Sequence, residues 1–408
     1  MFMKQKQDNR LPAILGGITI LVLVGTLILA NNGILRGLFS SASEKGGNDE
    51  VVMAVFPASV AGGQKFSAFK DLNAIKSIQT PALDIESGVD DWQLISSINY
   101  NFAQRLIFVD QSKGYLLTEK NIYRTVDGGR TWIVSWTATN DPPEYFSGLN
   151  LSPGNHLMVS GYSNAADDTQ GFIYSSYDGG ITWNPKSIVS NEDWLMDIVG
   201  SGNNVISSSL GALDGIPSAF YGRGSSGLRQ VEPHPRQDGW FGHQSSFVGT
   251  TAHLAGINFC TSVNNGFGWA CQESVDPIFD GSVQFINNNT GFVAGGMIYP
   301  ESQGWIYKTT DAGLTWGQRL AEPKWPIRHI LPVNSSLIYA SGGNSAFIGE
   351  HGGGVIVSEN GGMTWRKSLE FSGEFRACAL VPKSMLIRCA GTEMVDGNYI
   401  VRIFELEM

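Results

Sequence analysis

The stretch Thr125-Val126-Asp127-Gly128-Gly129-Arg130-Thr131-Trp132 decides the fold, because it recurs. The same form returns as Ser176-Tyr177-Asp178-Gly179-Gly180-Ile181-Thr182-Trp183, as Thr309-Thr310-Asp311-Ala312-Gly313-Leu314-Thr315-Trp316 and as Ser358-Glu359-Asn360-Gly361-Gly362-Met363-Thr364-Trp365. Each copy follows an apolar, strand-like run such as Asn121-Ile122-Tyr123 or Trp305-Ile306-Tyr307. Asp or Asn at the third position can accept the backbone amides just beyond it, and Gly supplies the positive φ that closes a tight turn. The final Trp then opens the next strand and buries its ring against the layer below. Asp127, Trp132, Asp178, Trp183, Asp311, Trp316, Asn360 and Trp365 are therefore read as architectural. Carboxylates repeated in separate units cannot converge on one reaction centre.

The spacing turns a repeat into an architecture. Asp127 to Asp178 is 51 residues, Asp178 to Asp311 is 133 and Asp311 to Asn360 is 49. The middle interval holds three periods of about 44 residues, a length suited to four-stranded propeller blades, so two copies have decayed. One is still visible at Tyr221-Gly222-Arg223-Gly224-Ser225-Ser226-Gly227-Leu228, with Ser225 in place of the Asp. A second element, strand, polar turn, strand, begins near Leu106, Leu149, Asp197, Ile257, Val283, Ile330 and Ala379. This counts seven blades, with six as the alternative, and the uneven spacing on either side of Ile257 points to a misplaced register around residues 240–260. The chain ends on Tyr399-Ile400-Val401-Arg402-Ile403-Phe404-Glu405-Leu406, a third strand without a fourth, while Asp91-Trp92-Gln93-Leu94-Ile95-Ser96 resembles a fourth strand without a blade. Pairing them closes the ring and removes a long open edge. The expected fold is an all-β seven-bladed propeller over residues 91–408.

Upstream, residues 11–30 carry no charged side chain, and about 20 helical residues match a hydrocarbon core of about 30 Å. Lys4, Lys6 and Arg10 precede this run against a lone Asp8, which places residues 1–10 in the cytoplasm and the propeller outside it. A cleaved signal peptide, with Ser40-Ser41-Ala42-Ser43 as its processing site, is the competing reading; the apolar run is longer than an ordinary signal core. Residues 31–90 are expected to be a stalk or linker, with residues 51–56 and 66–78 ambiguous between strand and helix. Cys260 with Cys271 and Cys378 with Cys389 share one spacing, and each pair brackets a turn signal, so two local disulfides are expected in an oxidising compartment; buried free thiols are the alternative.

Fifty glycines and only 16% charged residues fit many short strands joined by turns. A net charge of −10 without a basic stripe argues against nucleic acid. No catalytic set, metal set or cofactor motif is expected. Glu273 with Asp276 and Asp141 with Glu144 are the acid pairs a glycosidase would need, but loop acids are common. The segment of residues 233–243 carries His234, Arg236, Trp240, Phe241 and His243; two histidines without tight spacing make a poor zinc site, whereas Trp, Phe and Arg suit a partner-gripping loop.

These repeated segments resemble the Asp-box, or bacterial neuraminidase repeat, family, and the elements before them look most like its photosystem II stability and assembly factor group. The resemblance covers roughly residues 90–406. It implies a propeller lying beyond a membrane that holds partly built membrane complexes, hence a protein partner in or at the membrane. The basic patch used in that group has no counterpart in the scattered Arg105, Arg124, Arg130, Arg223 and Arg229. The sialidases of the family open on an Arg-Ile-Pro segment that is absent here. The expectation is a membrane-anchored binding scaffold outside the cytoplasm, not an enzyme, with a glycan-binding or glycan-hydrolysing, sialidase-like propeller as the alternative.

Overall fold

A computed structural model describes residues 83–84, 89–99, 102–165, 168–191, 193–211, 219–223, 226–231, 241–256, 258–273, 281–297, 302–320, 325–344 and 352–408. The expected membrane span at residues 11–30 lies outside them, as does most of the 31–90 linker. Among the described residues no helix is long and apolar enough to cross a membrane.

The described strands form seven antiparallel four-stranded sheets, one of which gains a short parallel strand, arranged as the blades of a propeller. In sequence order blades 1 to 6 span residues 103–137, 144–190, 193–231, 241–273, 282–320 and 327–371. Blade 7 takes three strands from residues 374–407 and its outermost from Gln93–Asn99, which pairs antiparallel with Asn398–Glu407, Gln93 opposite Glu405 and Asn99 opposite Ile400. The two chain ends thus supply one sheet together, as the incomplete terminal strands predict. Neighbouring innermost strands contact one another around the axis, blade 7 meeting blade 1.

Seven apolar clusters hold the ring, each between two adjacent blades. Leu116, Tyr123, Ala390, Val401 and Ile403 fill the joint between blades 7 and 1, and Phe292, Ile306, Ile330, Ile356 and Trp365 that between 5 and 6. Completely burying a Leu, Ile or Phe side chain stabilises a fold by about 1.5–3 kcal/mol, so the joints supply the main cohesion of the ring.

Each antiparallel blade alternates direction, which gives the propeller two distinct faces. One face carries the turns between first and second strands and, in most blades, the repeated Asp- or Asn-centred corner between third and fourth. The opposite face, here the mouth, carries the second-to-third turns and the connections from blade to blade.

The corners fold as the repeated segments predict. Asp127 Oδ1 accepts from Thr125 Oγ1 at 2.8 Å, Arg130 N at 3.1 Å and Thr131 N at 2.9 Å, and Oδ2 accepts from Thr131 Oγ1 at 2.6 Å. Asp178 and Asp311 accept the corresponding bonds from Thr182 and Thr315, and Asn360 accepts from Thr364 N while its Nδ2 donates to Thr364 Oγ1. Two successive left-handed residues close each turn, as at Ala312 (φ 62°) and Gly313 (φ 88°). In the blade 5 corner the second position is the sterically exacting one: a Cβ on Gly313 would lie 2.3 Å from Phe259 Cε1, whereas Ala312 already carries its own.

Four expectations need correction. The innermost strand of blade 4 is Phe241–Val248, so Ile257 marks no blade start. It falls between the second and third strands of that blade. The second supposedly lost repeat is present in geometry: Ser262-Val263-Asn264-Asn265-Gly266-Phe267-Gly268-Trp269 forms a fifth corner, with Asn264 Oδ1 accepting from Ser262 Oγ at 2.8 Å and Gly268 N at 2.9 Å. Gly268 stands where the others have Thr, and its backbone amide alone suffices. In blade 3, Arg223 pairs with Ser226 where a corner was expected, and residues 224–225 lie outside those described. Finally, Trp183 and Trp316 are only half-buried, and of the four corner tryptophans named from the sequence Trp365 alone is fully enclosed, at 1% exposed. The others lie across joints between blades. Trp132 Nε1 donates to Ser96 Oγ at 3.2 Å and Trp183 Nε1 to Ser135 Oγ at 3.1 Å, each serine sitting on the outermost strand of the preceding blade.

Both disulfides form, Cys260–Cys271 across the outer hairpin of blade 4 and Cys378–Cys389 across the inner hairpin of blade 7, each between directly opposed residues. The described chain begins at Leu83–Asp84, which pair parallel with Trp365 and Arg366 on the outer edge of blade 6. Asp90 then receives Arg366 Nη1 at 2.9 Å and Ser368 Oγ at 2.6 Å, and Trp92 Nε1 donates to the same serine. These contacts cover much of an otherwise open strand edge before the chain crosses into blade 7.

Candidate functional site

The innermost strands start at the mouth, and in six of the seven blades the register shifts near that start, for example between Phe146 and Gly148, Ile327 and His329, and Phe375 and Ala377. A bulge inserts one residue and re-aims its side chain. In blades 6 and 7 the inserted residues are Arg328 and Arg376, and both converge on Glu374. Arg376 Nε donates to Glu374 Oε1 at 2.9 Å, while Arg328 Nε lies 3.6 Å from Oε2, beyond hydrogen-bond reach. All three side chains are buried.

Beside this group the turn Glu119-Lys120 of blade 1 reaches the same mouth. Lys120 Nζ donates to the backbone oxygen of Glu144 at 2.5 Å and sits 3.8 Å above the ring of Tyr145. Burial lowers the Lys120 ammonium below its ordinary pKa. Glu119, half-buried, makes no side-chain hydrogen bond or ion pair among the described residues. Desolvation raises its carboxyl above the usual range; Arg376 and Lys120 oppose that shift and Glu374 adds to it.

From Tyr145 an aromatic ladder crosses blade 2 into blade 3. Tyr145 and Tyr162 stack at 5.4 Å, and Tyr162 and Trp194 at 5.1 Å. Trp194 is 2% exposed, yet among the described residues its indole Nε1 has no hydrogen-bond partner, and neither have the buried Ser163 Oγ and Ser282 Oγ, also at mouth ends of their strands. Unpaired buried polar groups cost about 1–3 kcal/mol each. Phe102, 4.8 Å from the Tyr399 ring, with the Arg376 guanidinium 5.8 Å over it, completes the far side.

Deeper along the axis, Arg105 Nη2 reaches from blade 1 to Asp197 Oδ1 of blade 3 at 3.0 Å, and Ser245 N of blade 4 donates to Asp197 Oδ2 at 2.7 Å. That ion pair spans the bore past blade 2. Burial, reinforced by Arg105, holds His329 near a pKa of about 3, hence neutral. A separate groove of about 530 Å³ opens on blade 6, lined by Trp325, Gly353, Ile356, Lys367, Leu369 and Phe371; none of the mouth charges borders it.

The corner residues named from the sequence sit on the opposite face and do not converge. Glu144 of the Asp141–Glu144 pair is occupied structurally: it holds Lys186 Nζ at 2.8 Å and accepts from Tyr174 OH and Thr139 N. Among the described residues no cluster of three or more His, Cys, Asp or Glu could hold a metal ion. His234, Arg236 and Trp240 lie outside the described residues. Phe241 and His243 belong to the innermost strand of blade 4, and the connection carrying the segment joins Val231 to Phe241 on the mouth side.

The charged group was missed because its members come from three blades and no local pattern joins them. A signal existed: Arg328, Glu374 and Arg376 are charges inside strands that an inner position should make apolar.

No family model matches the chain, and no curated protein matches it. Solved structures do. A chain of "YCF48 bound to D1 peptide" superposes with a TM-score of 0.54 at 14% identity, over 80% of this chain and 99% of that one. A chain of the mitotic checkpoint complex gives 0.55 at 10% identity, over 88% and 100%. At such identities the likeness is one of fold, and it agrees with the seven blades counted from the sheets.

Proposed function

We propose that this propeller is a protein-binding scaffold whose mouth grips an extended segment of a partner, and that residues 11–30 hold it at a membrane with the propeller outside the cytoplasm. The observation that carries the binding reading is Glu119: a carboxylate drawn partly out of water, without an ion-pair partner among the described residues, set among cations and a three-ring ladder. Aromatic and arginine side chains in enclosed surroundings are where binding energy concentrates. The YCF48 structure holds a D1 peptide, a precedent for peptide capture on this fold. Two disulfides and the uncharged N-terminal run support the location. Assembly or quality control of envelope complexes is the role we assign, one of binding and not of catalysis.

The test is a photo-crosslinking amino acid at Tyr145 of the full chain in native membranes, followed by mass spectrometry. One protein recovered reproducibly at Tyr145, and absent when the crosslinker replaces exposed Ile133 on blade 1, is the expected result. Equal recovery at both positions removes the mouth as the site, and hydrolysis of a fluorogenic glycoside by the purified chain removes the non-enzymatic reading.

A further inference from the structure

The corner face carries a second regularity that the turn chemistry does not require. The residue before the Thr position of each corner lends the turn only its backbone, yet in four of the five corners it is large, apolar and exposed, with Phe267 alone also packed on a neighbouring ring, Tyr221 at 4.0 Å. Ile181 is 64% exposed, Phe267 58%, Leu314 75% and Met363 60%; in blade 1 that position is Arg130, but Val126 of the same corner is 57% exposed. Met385, in the first-to-second turn of blade 7, adds a sixth at 59%. Single exposed apolar residues need no explanation, but a set repeated on one face around a ring does.

Elsewhere that face sets exposed charges of both signs, Asp110, Lys113, Arg130, Glu359 and Lys383, among uncharged turns. Its first-to-second turns include Gly154-Asn155, Gly202-Asn203, Gly249-Thr250, Asn287-Asn288-Asn289-Thr290 and Asn334-Ser335-Ser336. The corner carboxylates Asp127, Asp178 and Asp311 are taken up by their own Thr hydroxyls and amides. The described chain also enters on this side: Leu83 lies opposite Trp365, at the corner end of the outermost strand of blade 6. A spread ring of separate apolar tips among polar and mixed-sign groups matches a flat zwitterionic interface with hydrocarbon just beneath it better than a compact protein epitope, which gathers its apolar residues at one centre.

The geometry points to the corner face as a lipid-contacting surface, its apolar tips resting in the headgroup region of a bilayer and its mouth turned away from that bilayer. This rests on the membrane location proposed above and adds an orientation: the partner is gripped by a part that stands clear of the lipid.

The full chain, reconstituted in phosphatidylcholine vesicles, carries one nitroxide label at a time, through Ile181→Cys, Leu314→Cys, Met363→Cys, Asn191→Cys on the mouth side, or Ile20→Cys in the N-terminal run. Power saturation then compares accessibility to oxygen, which concentrates in lipid, with accessibility to a water-soluble nickel chelate. We expect the three corner labels to be at least about fivefold less accessible to nickel than Asn191→Cys. Corner labels as nickel-exposed as Asn191→Cys overturn the inference, and if Ile20→Cys is protected in the same vesicles the anchor survives without it. Corner labels protected while Ile20→Cys is exposed support the surface and remove the anchor. Spin–spin broadening between corner labels of two chains that persists in detergent shows a self-interface and overturns it.

Discussion

Two carboxylates on opposite faces of this ring have opposite fates. Asp127, at a corner, receives two hydroxyls and two amides from residues no more than four positions away, and those bonds, Thr131 first, hold its pKa down to about 2 although it is only half-buried. Glu119, at the mouth, has no such partner among the described residues, and desolvation moves its pKa up. The corner is chemically complete within eight residues. The mouth assembles charges and rings from several blades and leaves one of them unmatched. On the function proposed above, that contrast separates architecture from recognition. Substitutions at corners should change stability and leave partner capture intact in the folded fraction; substitutions at the mouth should do the reverse.

The hardest test of that division is Trp365→Ala. Trp365 fills the joint between blades 5 and 6 at 1% exposure, and removing a buried Trp costs about 3–5 kcal/mol. Urea unfolding should show that loss, while protein that remains folded crosslinks its partner as before. A loss below about 1 kcal/mol would mean that the corner ring contributes little to the joint. Gly313→Ala comes next: with φ at 88° and Phe259 2.3 Å from the new Cβ, strain and overpacking together should cost about 2–4 kcal/mol. Ala312→Gly, one residue earlier, should change stability by less than about 1 kcal/mol, because the left-handed turn is kept and no packing is lost. Similar effects for the two would refute the steric account of the second position.

Those local rules explain what could be read in advance. The corners, the two disulfides and the terminal closure were legible because each is settled by neighbours in sequence or by a strand that visibly lacks its mate. The fifth corner escaped because Asn265 and Gly268 keep the backbone geometry while replacing the small residue and the Thr that identify it. Blade 4 was misplaced for a related reason: its innermost strand follows a long connection, and the hairpin around Cys260 imitates the strand, turn, strand element. Arg328, Glu374 and Arg376 were invisible as a group. Bulges break the two-residue alternation where they occur, and the three side chains meet only after the ring has closed blade 6 onto blade 7.

Acid titration is a gentler probe of the same division. Asp127 and Asp311 are each held near a pKa of about 2, and Asp178 is depressed further, in every case chiefly by the following Thr hydroxyl. A depressed carboxylate contributes stability that is present above its unfolded pKa of about 3.9 and disappears as pH falls through the folded value. The urea midpoint should therefore drop between about pH 4 and pH 2. Asp178→Asn should flatten part of that slope without harming the turn at neutral pH, because Asn360 and Asn264 already occupy the same position in other corners. A slope unchanged by Asp178→Asn would place the acid sensitivity elsewhere.

Glu119→Gln should move stability least of all, and in the opposite direction. Its folded pKa is raised, so ionisation favours the unfolded chain, and the deficit is fully developed above the folded value. Replacing the acid with an amide of the same shape removes that penalty, so the urea midpoint at pH 7 should stay level or rise slightly. Partner capture should fall nonetheless, because an amide lacks the charge that a donor from the partner would complete, and the fall should persist at every pH at which Glu119 is ionised in the parent chain. If Glu119→Gln instead destabilises the fold and leaves crosslinking at Tyr145 untouched, the carboxylate serves the ring like its counterparts at the corners, and the two faces are not divided as argued.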